Sequence, residues 1–155
     1  YLAKAAKQAG HNPEIILAGR KINDYMPDFI FKNAIKKIKK KSNVLILGLT
    51  FKENVKDIRN SKSAVLEKLF RKSGYRVDVC DPLAEKKQAM KEYKINLIDP
   101  KKKYSCIIVS VEHKEFIKMS SKKIISFFDN PSILIDIKNI WGKKKLPEYV
   151  FKWSL

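Results

Sequence analysis

Four short strand-like segments, with helical patterns between them, constrain this chain more than any other feature. Asn43-Val44-Leu45-Ile46-Leu47-Gly48 is continuously apolar from Val44 and halts at glycine, as a strand buried on both faces does. Arg76 to Cys80 is a second strand, stopped by Asp81-Pro82, and segments 105–111 and 132–137 supply two more strands. Between them lie helical patterns. Val65, Leu66 and Leu69 share one face over 63–73, with Gly74 closing that helix. Further helices are predicted over about 83–93 and 114–128, with an extended piece near 95–98. Alternating buried strands and helices specify the α/β class: a Rossmann-like parallel sheet with helices on both faces.

A helical segment precedes the sheet. Asn12-Pro13-Glu14 offers a capping side chain, a proline for the first turn and an acid beside the amino end. Ile15, Ile22, Met26, Phe29, Ile30 and Ile38 then recur at helical spacing. Pro27 removes a backbone donor and is expected to break or kink this helix. The run Lys36, Lys37, Lys39, Lys40 and Lys41 reads as a solvated, dipole-complementing helix end. Residues 1–41 are therefore assigned to a helical segment and 42–155 to the sheet domain, and the apolar stripe of the first is expected to drive self-association.

The formal charge of +18 raises nucleic acid as a partner. Residue types argue against it, because 30 of the 34 basic residues are Lys and only Arg20, Arg59, Arg71 and Arg76 carry the planar fork suited to bases and phosphates. The aromatics do not interleave with the lysines as a stacking platform requires. No apolar run approaches the ~20 residues of a membrane span. The expectation is no nucleic acid and no membrane, with a basic nucleic-acid module and a non-catalytic interaction domain as the competing readings. Cys80 and Cys106 each sit in an apolar run and read as buried free thiols, and two histidines, His11 and His113, do not make a zinc site.

The loop after the first strand is where such a sheet binds ligands. It runs Gly48-Leu49-Thr50-Phe51-Lys52-Glu53-Asn54-Val55-Lys56-Asp57-Ile58-Arg59-Asn60-Ser61. A dinucleotide fingerprint needs glycine where Thr50 and Glu53 stand, so this is not a standard NAD loop despite the acid Asp81 at the end of the second strand. It presents instead two cations, Lys52 and Arg59, suited to phosphate.

GLTFKENVKDIRNSK, followed by a helix and VDVCDP, closely resembles the C-terminal domain signature of the UDP-glucose/GDP-mannose dehydrogenase family. YLAKAAKQAG with AGRKIND is similar to that family's central helical region, and ILIDIKN to its last strand and D-x-R-N motif. The resemblance implies that Phe51, Lys52, Lys138 and Arg20 contact a UDP-sugar and that Arg59 reaches an NAD held by another domain. Lys138 stands where the family has Arg, which loses the bidentate fork. VEHKEF, with His113, is similar to members that oxidise UDP-N-acetylhexosamines. On position alone, His113 is a cap or surface residue, and Trp141 and Trp153 are packing residues. The resemblance further implies a cytoplasmic homodimer, with NAD as cofactor and an essential Cys upstream of Tyr1. Tyr1 reads as the middle of a helix and Trp153-Ser154-Leu155 as a natural carboxyl end, so the chain is expected to be the inactive C-terminal part of a larger dehydrogenase.

Overall fold

The computed structural model describes residues 1–155. Helices α1 (Leu2–Gln8) and α2 (Glu14–Ile35) lead the chain. Of the break or kink expected at Pro27, the break does not occur: α2 continues through it. The missing amide would have bonded the Asn23 carbonyl, one turn back, and burial of Pro27, Ile30 and Ala34 holds the helix across that gap. Ile15 and Ile22, on the same helix, are exposed.

The remainder runs β1 (Asn43–Leu47), α3 (Lys62–Lys72), β2 (Arg76–Cys80), α4 (Lys86–Tyr93), β3 (Tyr104–Val109), α5 (Lys114–Ile117), α6 (Ser121–Ser126), β4 (Phe128–Asp136) and β5 (Val150–Trp153). The five strands form one sheet in the order β2-β1-β3-β4-β5, and every pairing is parallel. The chain leaves β1 for β2 on one side and returns to β3 on the other. That reversal opens a crevice beyond the carboxyl end of β1. No helix is long and apolar enough to cross a membrane.

Strand alternation divides the core in two. Val44, Ile46, Cys106, Ile108, Ile133 and Ile135 face α2, α3 and α4, meeting Ala34, Phe70 and Ala89. Leu45, Leu47, Ile107, Val109 and Leu134 face the other way, against Phe116, Ile124 and Trp141. Both faces of the sheet are thus covered, which is why residues 44–47 of β1 and residues 106–109 of β3 are apolar without interruption.

Two expectations need correction. The single helix predicted over 114–128 is two short ones, because Ser120 takes up the cap of α6, its hydroxyl accepting from the Lys123 amide at 3.3 Å. The strand after it begins at Phe128, not 132, since Phe128 pairs with Tyr104 at the start of β3. In addition, β5 was not expected at all; it adds to the sheet edge beside β4.

Gly48 ends β1 at φ 97, a conformation disfavoured for any residue with a side chain. A Cβ there would lie 2.5 Å from Val111 Cβ and 2.9 Å from the Val111 amide nitrogen. The close approach lets the Ser110 and Val111 amides donate to the Leu47 carbonyl. Gly48→Ala is expected to cost about 2–4 kcal/mol of stability, from backbone strain and overlap combined. Urea denaturation measures it; a loss below about 0.5 kcal/mol would show that the crossing is not tight.

Candidate functional site

The loop between β1 and α3 has no regular structure, yet it is tied to its neighbours at three places. At its start, the Leu49 and Thr50 amides donate to Asp81 Oδ2 at 2.6 and 3.0 Å. The other oxygen of Asp81 accepts from the Leu83 and Ala84 amides, both at 2.8 Å. Burial raises the Asp81 carboxyl, but hydrogen bonds from His113 and from the Leu49, Ala84 and Leu83 amides outweigh it and hold it at about 2. The acid at the end of the second strand is therefore turned inward and fully engaged.

Midway along the loop, the Asn54 amide donates to His113 Nδ1 at 3.0 Å, and Asn54 Oδ1 accepts from the Lys114 amide at 3.1 Å. Asn54 has φ 58, a left-handed conformation that asparagine tolerates well. At the loop's far end, the Tyr93 hydroxyl donates to the Ile58 carbonyl at 2.6 Å and accepts from the Ser61 amide at 3.3 Å. Ser61 then caps α3, its hydroxyl accepting from the Ala64 amide at 3.1 Å.

Beside this loop lies a cleft of about 380 Å3. Phe51 from the loop and Lys138 from the turn after β4 both line it. Ser63 and Ser110 add a hydroxyl pair, 2.6 Å apart, and Met26 and Ile30 of α2 close it with apolar surface. The turn that carries Lys138 is set by a second buried carboxylate. Asp136 accepts from the Ile140 amide at 3.0 Å and from the Trp141 amide at 2.7 Å. An apolar wall, paired hydroxyls and a lysine suit a ligand with a flat ring and an anionic group.

The other candidate cations do not line this cleft. Lys52, the residue after Phe51, is exposed. Arg59 is exposed and forks onto Asp57, with Nε 3.0 Å from Oδ1 and the terminal nitrogen 2.8 Å from Oδ2. That hydrogen-bonded guanidinium holds the Asp57 carboxyl at about 2. Arg20 lies on α2, 3.8 Å from Asp24. Burial pushes the Cys80 thiol up to about 11 and the Cys106 thiol further still, so neither supplies a thiolate nucleophile near neutral pH.

His113 is the residue that position alone misjudged. It stands at the cap position of α5 but makes no capping bond, and it is completely buried. Asp81, Asp136 and Tyr93 were likewise not singled out as shapers of the site. The available signals were an acid at each strand end followed by a turn, a pattern that pins backbone amides.

The model of the UDP-glucose/GDP-mannose dehydrogenase family, UDP binding domain, matches residues 45–143. This chain belongs to that family. Protein CapL of Staphylococcus aureus is 37% identical over 163 residues, covering 100% of this chain and 38% of CapL. The UDP-N-acetyl-D-glucosamine 6-dehydrogenase of Salmonella typhi is 38% identical over 148 residues, covering 90% of this chain and 35% of that enzyme. Among solved structures, the UDP-N-acetyl-mannosamine dehydrogenase Cap5O from Staphylococcus aureus superposes with a TM-score of 0.72 at 25% identity, covering 92% of this chain and 33% of that one. The NDP-N-acetyl-D-galactosaminuronic acid dehydrogenase of Methanosarcina mazei shares the fold, with a TM-score of 0.75 over 99% of this chain and 35% of that one. As a member of the dehydrogenase family, this chain spans little more than a third of the length of the curated relatives it matches.

Proposed function

We propose that this chain is the UDP-sugar-binding, C-terminal part of an NAD-dependent UDP-N-acetylhexosamine 6-dehydrogenase, and that the cleft beside Phe51 holds the UDP moiety. The observation that carries this reading is the meeting of Phe51 and Lys138 in one cleft beyond the carboxyl ends of β1, β3 and β4, within a domain of the UDP-binding family. The reaction assigned to the whole protein is oxidation of the sugar C6 alcohol to a carboxylate, with NAD as the oxidant. The β1–α3 loop does not fit NAD, because Thr50 and Glu53 occupy the glycine positions and Asp81 is engaged by four amides. NAD is accordingly assigned to the part of the protein outside this chain, with Arg59 reaching it, and this chain alone is expected to have no dehydrogenase activity. Cytoplasmic location follows from the same reading.

The helical stretch 1–41 is assigned to a dimerisation region and residues 42–155 to the UDP-sugar domain. Ile15 and Ile22 are 89% and 63% exposed, more apolar surface than a solvated helix leaves bare, and a second copy of the chain is proposed to cover them. Arg20, on the same helix, would then point to the neighbouring subunit's substrate.

Calorimetric titration of UDP tests the site. Lys138 lines the cleft and Lys52 adjoins Phe51, so each is expected to contribute a charge-assisted bond to a phosphate oxygen. Lys52→Ala and Lys138→Ala should each weaken UDP roughly tenfold to a hundredfold. Lys138→Arg should tighten it by restoring a fork. Arg59→Ala should change affinity by less than about threefold, since its proposed partner is the NAD held outside this chain. Absence of saturable UDP binding, or loss with Arg59→Ala but not with the two lysine variants, overturns the assignment.

A further inference from the structure

His113 is wholly enclosed, and so is the carboxylate it meets. Its two ring nitrogens touch three groups, and the direction of one contact fixes the other two. A backbone amide can only donate, so the Asn54 amide, 3.0 Å from Nδ1, requires a lone pair there. The ring proton therefore sits on Nε2, which faces Asp81 Oδ2 at 3.1 Å and Thr50 Oγ1 at 3.0 Å. The Thr50 hydroxyl uses its own hydrogen on the Lys52 carbonyl at 2.9 Å, leaving its oxygen free to accept from Nε2. One tautomer satisfies every partner. Phe116 packs on the ring with centroids 5.6 Å apart, which fixes its plane.

We propose that His113 is a positioning residue for the nucleotide loop: its imidazole, locked between Asp81 and Asn54, sets the turn that presents Phe51 and Lys52 to the ligand. The proposal rests on reading the adjacent cleft as the UDP site. Without the imidazole, Asp81 still grips Leu49 and Thr50 directly, so the start of the loop and the ends of β1 and β2 stay in place. What goes is the acceptor of the Asn54 amide, which leaves Asn54 held only through its Oδ1 to the Lys114 amide. The segment between, which holds Phe51 and Lys52, keeps Asp81 before it and Tyr93 beyond it but loses the stronger part of its middle anchor.

A packing role and a positioning role predict opposite orders for two variants. His113→Leu keeps most of the volume but offers no acceptor to the Asn54 amide. His113→Asn is smaller, yet its side-chain oxygen falls near the place of Nδ1 and can accept that amide. Positioning requires that the Asn variant bind UDP more tightly than the Leu variant, even where its melting temperature is lower. His113→Ala should weaken UDP roughly tenfold, and the loss caused by Lys52→Ala should shrink to less than about half in that background, because an unplaced loop gains little from its lysine.

Hydrogen exchange gives a readout independent of ligand. In His113→Ala the amides of residues 51–56 should exchange at least about tenfold faster, while the strand amides of β1 and β3 keep their protection. Equal UDP affinity for wild type and His113→Ala, additive losses with Lys52→Ala, or tighter binding by Leu than by Asn would each overturn the proposal. If the wild-type chain shows no saturable UDP binding, the cleft reading fails on its own. The exchange comparison then decides the anchor alone, and unchanged protection at residues 51–56 refutes it.

Discussion

Asp81→Ala is expected to destabilise the fold by about 3–5 kcal/mol, because it leaves buried donors without an acceptor. Four backbone amides and the His113 ring converge on this one carboxylate, and its side chain is closed to solvent. The effect also carries a pH signature with a definite sign. The folded carboxyl is held at about 2, against an ordinary value of 3.8. A depressed folded value means that the stabilisation is fully present above pH ~4 and is lost as pH falls through ~2; its size is roughly 2 kcal/mol. Asp81→Asn should therefore trail the wild type in urea denaturation at pH 6, with the gap narrowing toward pH 2. A constant gap across that range would mean that the amides bind the oxygen atoms equally well without charge.

Trp141→Ala is expected to cost a similar amount, about 3–5 kcal/mol. Trp141 is fully buried in the core on the α5–α6 face, and its ring nitrogen donates to the Phe116 carbonyl at 2.8 Å. Removing the indole opens a cavity and leaves that carbonyl with only the Met119 amide, 3.2 Å away, as its donor. The consequence extends to the cleft, because the Trp141 amide is one of the two that Asp136 uses to shape the Lys138 turn. UDP affinity should fall along with stability. Trp141→Phe, which keeps bulk but not the donor, should recover more than half of the lost stability. A Trp141→Ala protein within about 1 kcal/mol of wild type would show that this face repacks around the gap.

Much of the fold was legible because it is written locally. NVLILG, RVDVC and the apolar run from Ile133 to Ile135 carry their strand character in consecutive residues, and Gly48 and Gly74 mark real changes of direction. The errors fall where local patterns conflict. Ser120 lies within an otherwise helical period, and its capping ability decided the break between α5 and α6. Strand β5 is four residues at a sheet edge, with Phe151 half exposed, and its pairing to β4 is a property of the folded chain. At Pro27 a break was one of two expected outcomes: the backbone bond is lost, but burial of Pro27, Ile30 and Ala34 keeps the helix continuous.

The site was legible in part for the same reason. Phe51 and Lys138 were recognisable from motif residues, and the fold lines them along one cleft although 87 positions separate them. His113 was not legible. Its burial depends on α5 beginning where Asn54 turns, a contact between segments 59 residues apart. Nor did any local pattern reveal that Asp81 faces the first loop.

The three-point suspension of the β1–α3 loop, on Asp81, His113 and Tyr93, has a thermodynamic consequence. Fixing a flexible backbone costs about 1–2 kcal/mol of conformational entropy per residue. A free loop of this length would charge that cost to the ligand at the moment of association. Here folding has already met it, so the nucleotide proposed for the cleft would find its contacts in place. The heat-capacity change on association should then reflect apolar surface covered by the ligand, without the large added contribution of a segment that orders on binding.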